Sequence, residues 1–289
     1  MKDTLQMLGP IVWLAIAAGL QMAGALLFFK SAVDPILITA YFFITFGVYL
    51  LNKFTDSEDG FNCPERRMFF QNHSKLILLP ITMFSVSLLL LAATGRLYLS
   101  HIVLTVLGIL YSVQLIPYRK SRSTRFTRLK DILFIKNISV ALLWGITPFA
   151  IAANRAGFSN MSSPSDLAVI ILSFCSTWLI NTTSCDVRDI AGDRHVGVKT
   201  VATILGKRNT GLYLLGFGLM TSILVCAAGA TGLAGRPACL LFIGTMAWTA
   251  IVVLPIYLNN FRIPGNLIEP LIDSQAVVCG AGLITLALF

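Results

Sequence analysis

Charged residues are absent from long stretches of this chain. Residues 9–29, 35–51, 76–94, 97–117 and 210–235 hold no Lys, Arg, Asp or Glu. Each run is close to the roughly 17–25 residues a helix needs to cross the hydrocarbon core of a bilayer. A membrane barrel would show alternating segments of about ten residues instead. Extending the pattern between short polar breaks predicts nine helical spans, at about 9–29, 33–51, 75–94, 97–117, 132–153, 164–183, 210–232, 237–258 and 270–288. The first is too long for a cleaved signal and has no basic n-region.

Composition agrees with the pattern. The chain is 56% hydrophobic and 12% charged, against about 25% charged in a soluble domain. Lipid is its main solvent. The cations are distributed unevenly. Lys53, Arg66, Arg67 and Lys75 follow span two; Arg119, Lys120, Arg122, Arg125, Arg128 and Lys130 follow span four; Arg188, Arg194, Lys199, Lys207 and Arg208 follow span six; Arg262 follows span eight. The opposite loops hold only Lys30, Arg96, Arg155 and Arg236. The positive-inside rule then puts the N-terminus and the even-numbered loops in the cytoplasm. The net charge of +9 thus reflects membrane topology and anionic lipid rather than nucleic acid. No obligate protein partner is evident. The expectation is an all-α, polytopic, integral membrane protein of the cytoplasmic membrane, forming a single domain over residues 1–289.

The six cysteines show no CxxC spacing and read as small packed thiols. An internal echo is more informative. "LLNKFTDSEDGFNCPER" (50–66) and "LINTTSCDVRDIAGDRHVGVKT" (179–200) each run from an apolar span through an asparagine into spaced carboxylates. Both fall on the cytoplasmic side by charge. Asp56, Glu58, Asp59 and Glu65, with Asp186, Asp189 and Asp193, make seven of the thirteen acids. If each span continues as a helix, Asn52, Asp56 and Asp59 share one face at i, i+4, i+7. Asp186, Asp189 and Asp193 share one at i, i+3, i+7. Breaks at Gly192 and Gly197 would turn the chain back over the bundle. Such stacked like charges repel unless something positive offsets them. One reading is a salt-bridged loop neutralised by Arg188 and Arg194. The other is a hard divalent cation, magnesium, bridging carboxylates to phosphate oxygens. A phosphate site above an apolar interior suits an isoprenoid diphosphate. Trp13, Phe43, Tyr111 and Trp144 are aromatics whose faces suit a carbocation, as they equally suit core packing.

These motifs resemble the UbiA superfamily of intramembrane prenyltransferases over most of the chain. "DVRDIAGDRHVGVKT", followed by "ILGKR" (204–208), is similar to the family's second aspartate motif. The first motif departs from Asn-Asp-x-x-Asp-x-x-x-Asp: Asn52 and Asp56 match, Lys53 replaces the second position, Gly60 the last, and Asp59 falls one residue early. "YSVQLIPYRKSRSTRFTRLKDILFIKN" (111–137), "LLWG" (142–145) and "LIDS" (271–274) resemble the Tyr-Pro segment with its basic connector, the stretch after it and the terminal Asp-Gly pair.

The resemblance implies nine transmembrane helices in a bundle around a central cavity, with two magnesium sites under a cytoplasmic cap. It implies transfer of a prenyl group from its diphosphate to an aromatic or lipid acceptor, or, in some members, cyclisation without an acceptor. Asp186, Asp189 and Asp193 would bind one Mg2+. Asn52, Asp56 and Asp59 would bind the other, with Glu58 an alternative to Asp59. Asp186, Asp189 and Lys136 are the expected catalytic residues. Asn52, Lys136, Asn137, Arg66, Arg67, Arg194 and Lys199 are expected at the diphosphate or acceptor. Lys136 also fits a snorkelling interface lysine, and the arginines and Lys199 also fit a purely topological role. A transporter is disfavoured, because the carboxylates gather at one membrane face rather than mid-bilayer.

Overall fold

A computed structural model describes residues 2–56, 59–120, 123–160, 163–258 and 265–288; of residues 2–6, 59, 60, 118–120, 123–125, 253–258 and 265–267 it describes the backbone alone. Glu58 and the side chain of Asp59 lie outside the described residues. The helices are α1 (Lys2–Phe28), α2 (Pro35–Thr55), α3 (Asp59–Asn62), α4 (Pro64–Asn72), α5 (Leu78–Ala93), α6 (Leu99–Ser112), α7 (Ile135–Ala156), α8 (Pro164–Val196), α9 (Val201–Ala230), α10 (Arg236–Leu258) and α11 (Gly265–Leu288). Each expected span overlaps one of these helices, though not every helix is as long as the span. Among the described residues, seven helical segments are long and apolar enough to cross a bilayer, while Leu99–Ser112 and Arg236–Val252 are shorter apolar helices.

Local chemistry sets several ends. Asp34 caps α2 by accepting from the Ile36 amide at 3.1 Å, and Pro35 opens the helix with φ already fixed. Ser163 and Pro164 start α8 in the same way. Gly197 ends α8 in the left-handed region at φ 76, where a Cβ would be strained. The Thr200–Thr203 capping box restarts the chain as α9.

Two expectations about the motifs change. Gly192 does not break the chain. It is buried inside α8, and its amide donates to Asn62 Oδ1 at 3.0 Å. A Cβ there would overlap the Asn62 side chain, so glycine serves close packing of α3 on α8. The first motif does not continue as one helix. Asp56 is the C-cap of α2 with extended dihedrals, and α3 starts separately at Asp59. The last carbonyls of α2, which no intrahelical donor can reach, are taken by side chains. Arg128 Nη1 donates to Thr55 O at 2.9 Å, and Arg67 Nη1 to Phe54 O and Asp56 O at 3.3 Å.

Helical periodicity does not announce one small element. Part of the basic connector after α6 is an antiparallel hairpin, β1 (Ile116–Lys120) and β2 (Ser123–Thr127), with Ile116 opposite Thr127 and Lys120 opposite Ser123.

The long helices pack around α1 and α8. α1 lies against α2, α7 and α11, and α8 against α7, α9, α10 and α11. Gly145 lets α7 and α8 touch: a Cβ there would sit 3.0 Å from the Cys175 backbone nitrogen. Tyr41, Trp144, Phe174 and Trp178 are buried in the centre. Trp144 stacks on Tyr49 with centroids 5.9 Å apart and meets Tyr41 edge-on at 5.9 Å. Outward faces carry Leu89, Leu99, Leu219 and Leu240, all exposed, as a lipid-facing surface requires.

Candidate active site

The site is built from the end of α2, the connector ahead of α7, the middle of α8 and the start of α11. At the α2 end, Asn52 Nδ2 donates to Asp56 Oδ2 at 3.3 Å. Lys130, from the basic connector, reaches Asp56 Oδ1 at 2.7 Å. Arg128, beside it, is held by Asp131 at 2.7 Å. Burial pushes the Asp131 carboxyl up; the Arg128 hydrogen bond and charge outweigh this and hold it below its ordinary value.

On α8 the helix runs unbroken through the second motif, so Asp186, Asp189 and Asp193 stack at i, i+3 and i+7. Their surroundings differ. Asp186 is fully buried. Lys136 Nζ donates to its Oδ1 at 2.5 Å, and Asn137 Nδ2 to its Oδ2 at 2.9 Å. Both donors start α7, so this cluster ties α7 to α8. Asp189 is met by its neighbour Arg188 at 2.7 Å and 2.8 Å. Asp193 is buried near the α8 end.

These elements enclose a cavity of about 130 Å³. Its rim carries Asn52, Lys53, Asp56, Lys130, Lys136, Arg188, Asp189 and Asp193; its deeper wall carries Tyr49, Tyr111, Val140 and Trp144. α11 contributes two acids. Glu269 gathers three cations: Arg66 at 3.2 Å, Arg188 at 3.4 Å and Lys53 at 3.8 Å. Asp273 lines the cavity one turn farther on and accepts from Asn181 Nδ2 at 3.1 Å.

The expected site residues separate into groups. Asn52, Asp56, Lys136, Asp189 and Asp193 line the cavity. Asp186 and Asn137 sit behind Lys136, joined to each other. Arg66 faces Glu269, and Arg67 caps α2. Arg194 is exposed and donates to Thr203 O at 3.3 Å; Lys199 is exposed on the link to α9; neither lines the cavity. Of the aromatics, Tyr111 and Trp144 line it, whereas Trp13 is 38% exposed on the outer face of α1 and Phe43 packs edge-on with Phe42. The charge pattern passes over Glu269, whereas a signal was present. Glu269 and Asp273 are the only acids after Asp193, spaced i, i+4 in an apolar span. Ionisable residues placed so are functional candidates by default.

The donors suit a hard divalent cation. Asn52, Asp56, Asp189 and Asp193 offer oxygens to one cavity, and Asn52 Oδ1 is buried with no hydrogen-bond partner. Among the described residues no three carboxylate, imidazole or thiol groups already converge on one point. Lys130 and Arg188 lie against Asp56 and Asp189 instead.

A helical membrane bundle with a carboxylate-and-cation rim over an aromatic interior is the architecture of the UbiA superfamily. Solved UbiA homologues share the fold. A UbiA homologue from Archaeoglobus fulgidus superposes with a TM-score of 0.65 at 17% identity, covering 98% of this chain and 99% of the other. The same homologue bound to GPP and Mg2+ gives 0.64 at 18% identity, with the same coverage. The chain belongs to the VviA prenyltransferase family, whose model matches residues 42–242. A digeranylgeranylglyceryl phosphate synthase from Pyrococcus abyssi is 34% identical over 101 residues. That segment is 33% of this chain and 32% of the relative, so the match spans about a third of the relative's length.

Proposed function

We propose that this protein is a magnesium-dependent intramembrane prenyltransferase. It moves a prenyl group from an isoprenoid diphosphate to an aromatic or lipid acceptor and releases diphosphate. One observation carries the reading: hard oxygen donors and four cations share the rim of a cavity whose deeper wall is aromatic. Asn52, Asp56, Asp189 and Asp193 would hold magnesium. When bound, the metal neutralises diphosphate oxygens as the leaving group departs.

The chain's own cations do the rest. Lys136 is held in place by Asp186, which Asn137 fixes from behind, so it would meet the diphosphate as a preset donor. Lys53, Lys130 and Arg188 each spend their charge on a carboxylate in this state. An arriving diphosphate would compete for these cations, and Asp56 and Asp189 would then be able to hold the metal. Trp144 and Tyr49 face positive charge developing on the allylic carbon. The apolar wall keeps out water that would quench it. The curated relatives' name supports a lipid glyceryl phosphate acceptor over an aromatic one. By charge, the N-terminus and the Asp-rich loops are cytoplasmic.

The test is product analysis by mass spectrometry on the purified protein. Geranyl, farnesyl and geranylgeranyl diphosphates are supplied with 4-hydroxybenzoate, geranylgeranylglyceryl phosphate or no acceptor. Magnesium is removed by EDTA and restored. A coupled product that disappears with EDTA and returns with Mg2+ is expected. Terpene products without acceptor would make the protein a membrane terpene cyclase instead.

A further inference from the structure

The inner end of the cavity carries a carboxylate that the diphosphate chemistry does not use. Asp273 sits one helical turn beyond Glu269 on α11, in the same cavity as Lys53 and Arg188. It is 2% exposed and lines the same cavity as Tyr49, Tyr111 and Trp144. Its Oδ1 is fixed by Asn181 Nδ2 at 3.1 Å. That amide is itself anchored, because it also donates to Ile272 O at 3.0 Å. Oδ2 is buried and has no hydrogen-bond partner among the described residues.

A carboxylate oxygen buried without a donor is costly to maintain, and such groups collect where substrates supply the missing partner. The partner here must come from the cavity. It must carry a proton on an electronegative atom. It must also lie on the aromatic side of the rim, where the allylic carbon of a diphosphate seated on Lys136 would point. Diphosphate itself fails these conditions, since it would set anion against anion. An acceptor hydroxyl meets them.

We propose that Asp273 is the base for the acceptor and that Asn181 positions it. This rests on the transferase reading above. The allylic C–O bond to diphosphate breaks and its electron pair leaves with the diphosphate. A lone pair of the acceptor hydroxyl oxygen forms the new C–O bond. The hydroxyl proton passes to Asp273 Oδ2, and the released acid returns it to solvent after product leaves. No oxidant, reductant or further reactant is required.

The experiment uses the full chain in lipid nanodiscs with Mg2+, geranylgeranyl diphosphate and geranylgeranylglyceryl phosphate as the acceptor probe. Asp273→Asn keeps shape and the capacity to pair with Asn181. It should lower coupled turnover by about 100-fold or more, the scale of a lost general base. The acid limb of the wild-type pH–rate profile should vanish with it. Binding of the unreactive geranylgeranyl thiolodiphosphate should stay within about threefold, because ground-state diphosphate contacts are untouched. Asp273→Ala should regain turnover when formate is added. Asp273→Asn turnover within about threefold of wild type would overturn the proposal. So would joint loss of turnover and thiolodiphosphate binding, or failure of formate to rescue a variant that still binds. A wild-type protein that forms no coupled product removes the transferase reading, and the proposal falls with it.

Discussion

Three aspartates on one face of α8 look equivalent in sequence and have different environments in the fold. Asp186 is fully buried between Lys136 and Asn137, whereas Asp189 is partly exposed at the rim beside Arg188. Removing one member of a buried ion pair leaves the other charge uncompensated, at a cost of about 3–5 kcal/mol. Asp186→Ala is therefore expected to lower the melting temperature clearly, read by thermal unfolding in detergent. Asp189→Ala should leave melting nearly unchanged, and product formation should fall to background in both Asp189→Ala and Asp56→Ala. Full turnover in either purified variant would refute the metal assignment. The spacing of these acids was readable, because a helix period of 3.6 puts i, i+3 and i+7 together. Which of them faces the cavity was not, because Lys136 and Asn137 come from 49 or more residues away.

The long helices were legible from run length alone, since backbone polar groups in lipid must be satisfied within the helix. Their ends were less so. α2 stops at Thr55 because Arg67 and Arg128, from two other elements, occupy its last carbonyls. No local signal encodes that, and the expected Asn52–Asp56–Asp59 face breaks there. Two predictions test the connections between elements. Gly145→Val forces a side chain between α7 and α8, and overpacking of this kind costs about 1–3 kcal/mol; the melting temperature of the purified variant measures it. The second concerns Asp131, held below its ordinary value of 3.8 by Arg128. A depressed carboxyl stabilises the folded chain above its unfolded pKa and loses that contribution as pH falls through its lower folded pKa. The stability gap between wild type and Asp131→Asn should thus be full at pH 6 and shrink below about pH 4. Melting curves across that range would show it. An unchanged gap would mean that Arg128 does not hold the connector through Asp131.

At the scale of the whole molecule, charge asymmetry predicts orientation. The Asp-rich rim and the α8–α9 link lie at one end of the bundle, and Phe158, between α7 and α8, lies at the other. Lys199→Cys should react with an impermeant maleimide only after the membrane is opened, while Phe158→Cys should react in intact cells. The reverse pattern would invert the topology. The wild-type cysteines are unpaired and need replacing first. Run lengths, cation bias and the spacing of two acidic motifs were enough to establish a helical membrane bundle and its superfamily, because lipid imposes those patterns segment by segment. Tertiary structure alone decided which charges pair. Glu269 draws Lys53, Arg66 and Arg188 from three helices, Lys130 covers Asp56, and Asp273, which lines the cavity, keeps a buried oxygen with no hydrogen-bond partner among the described residues. Those choices depend on distances between segments far apart in the chain, which periodicity along one helix does not contain.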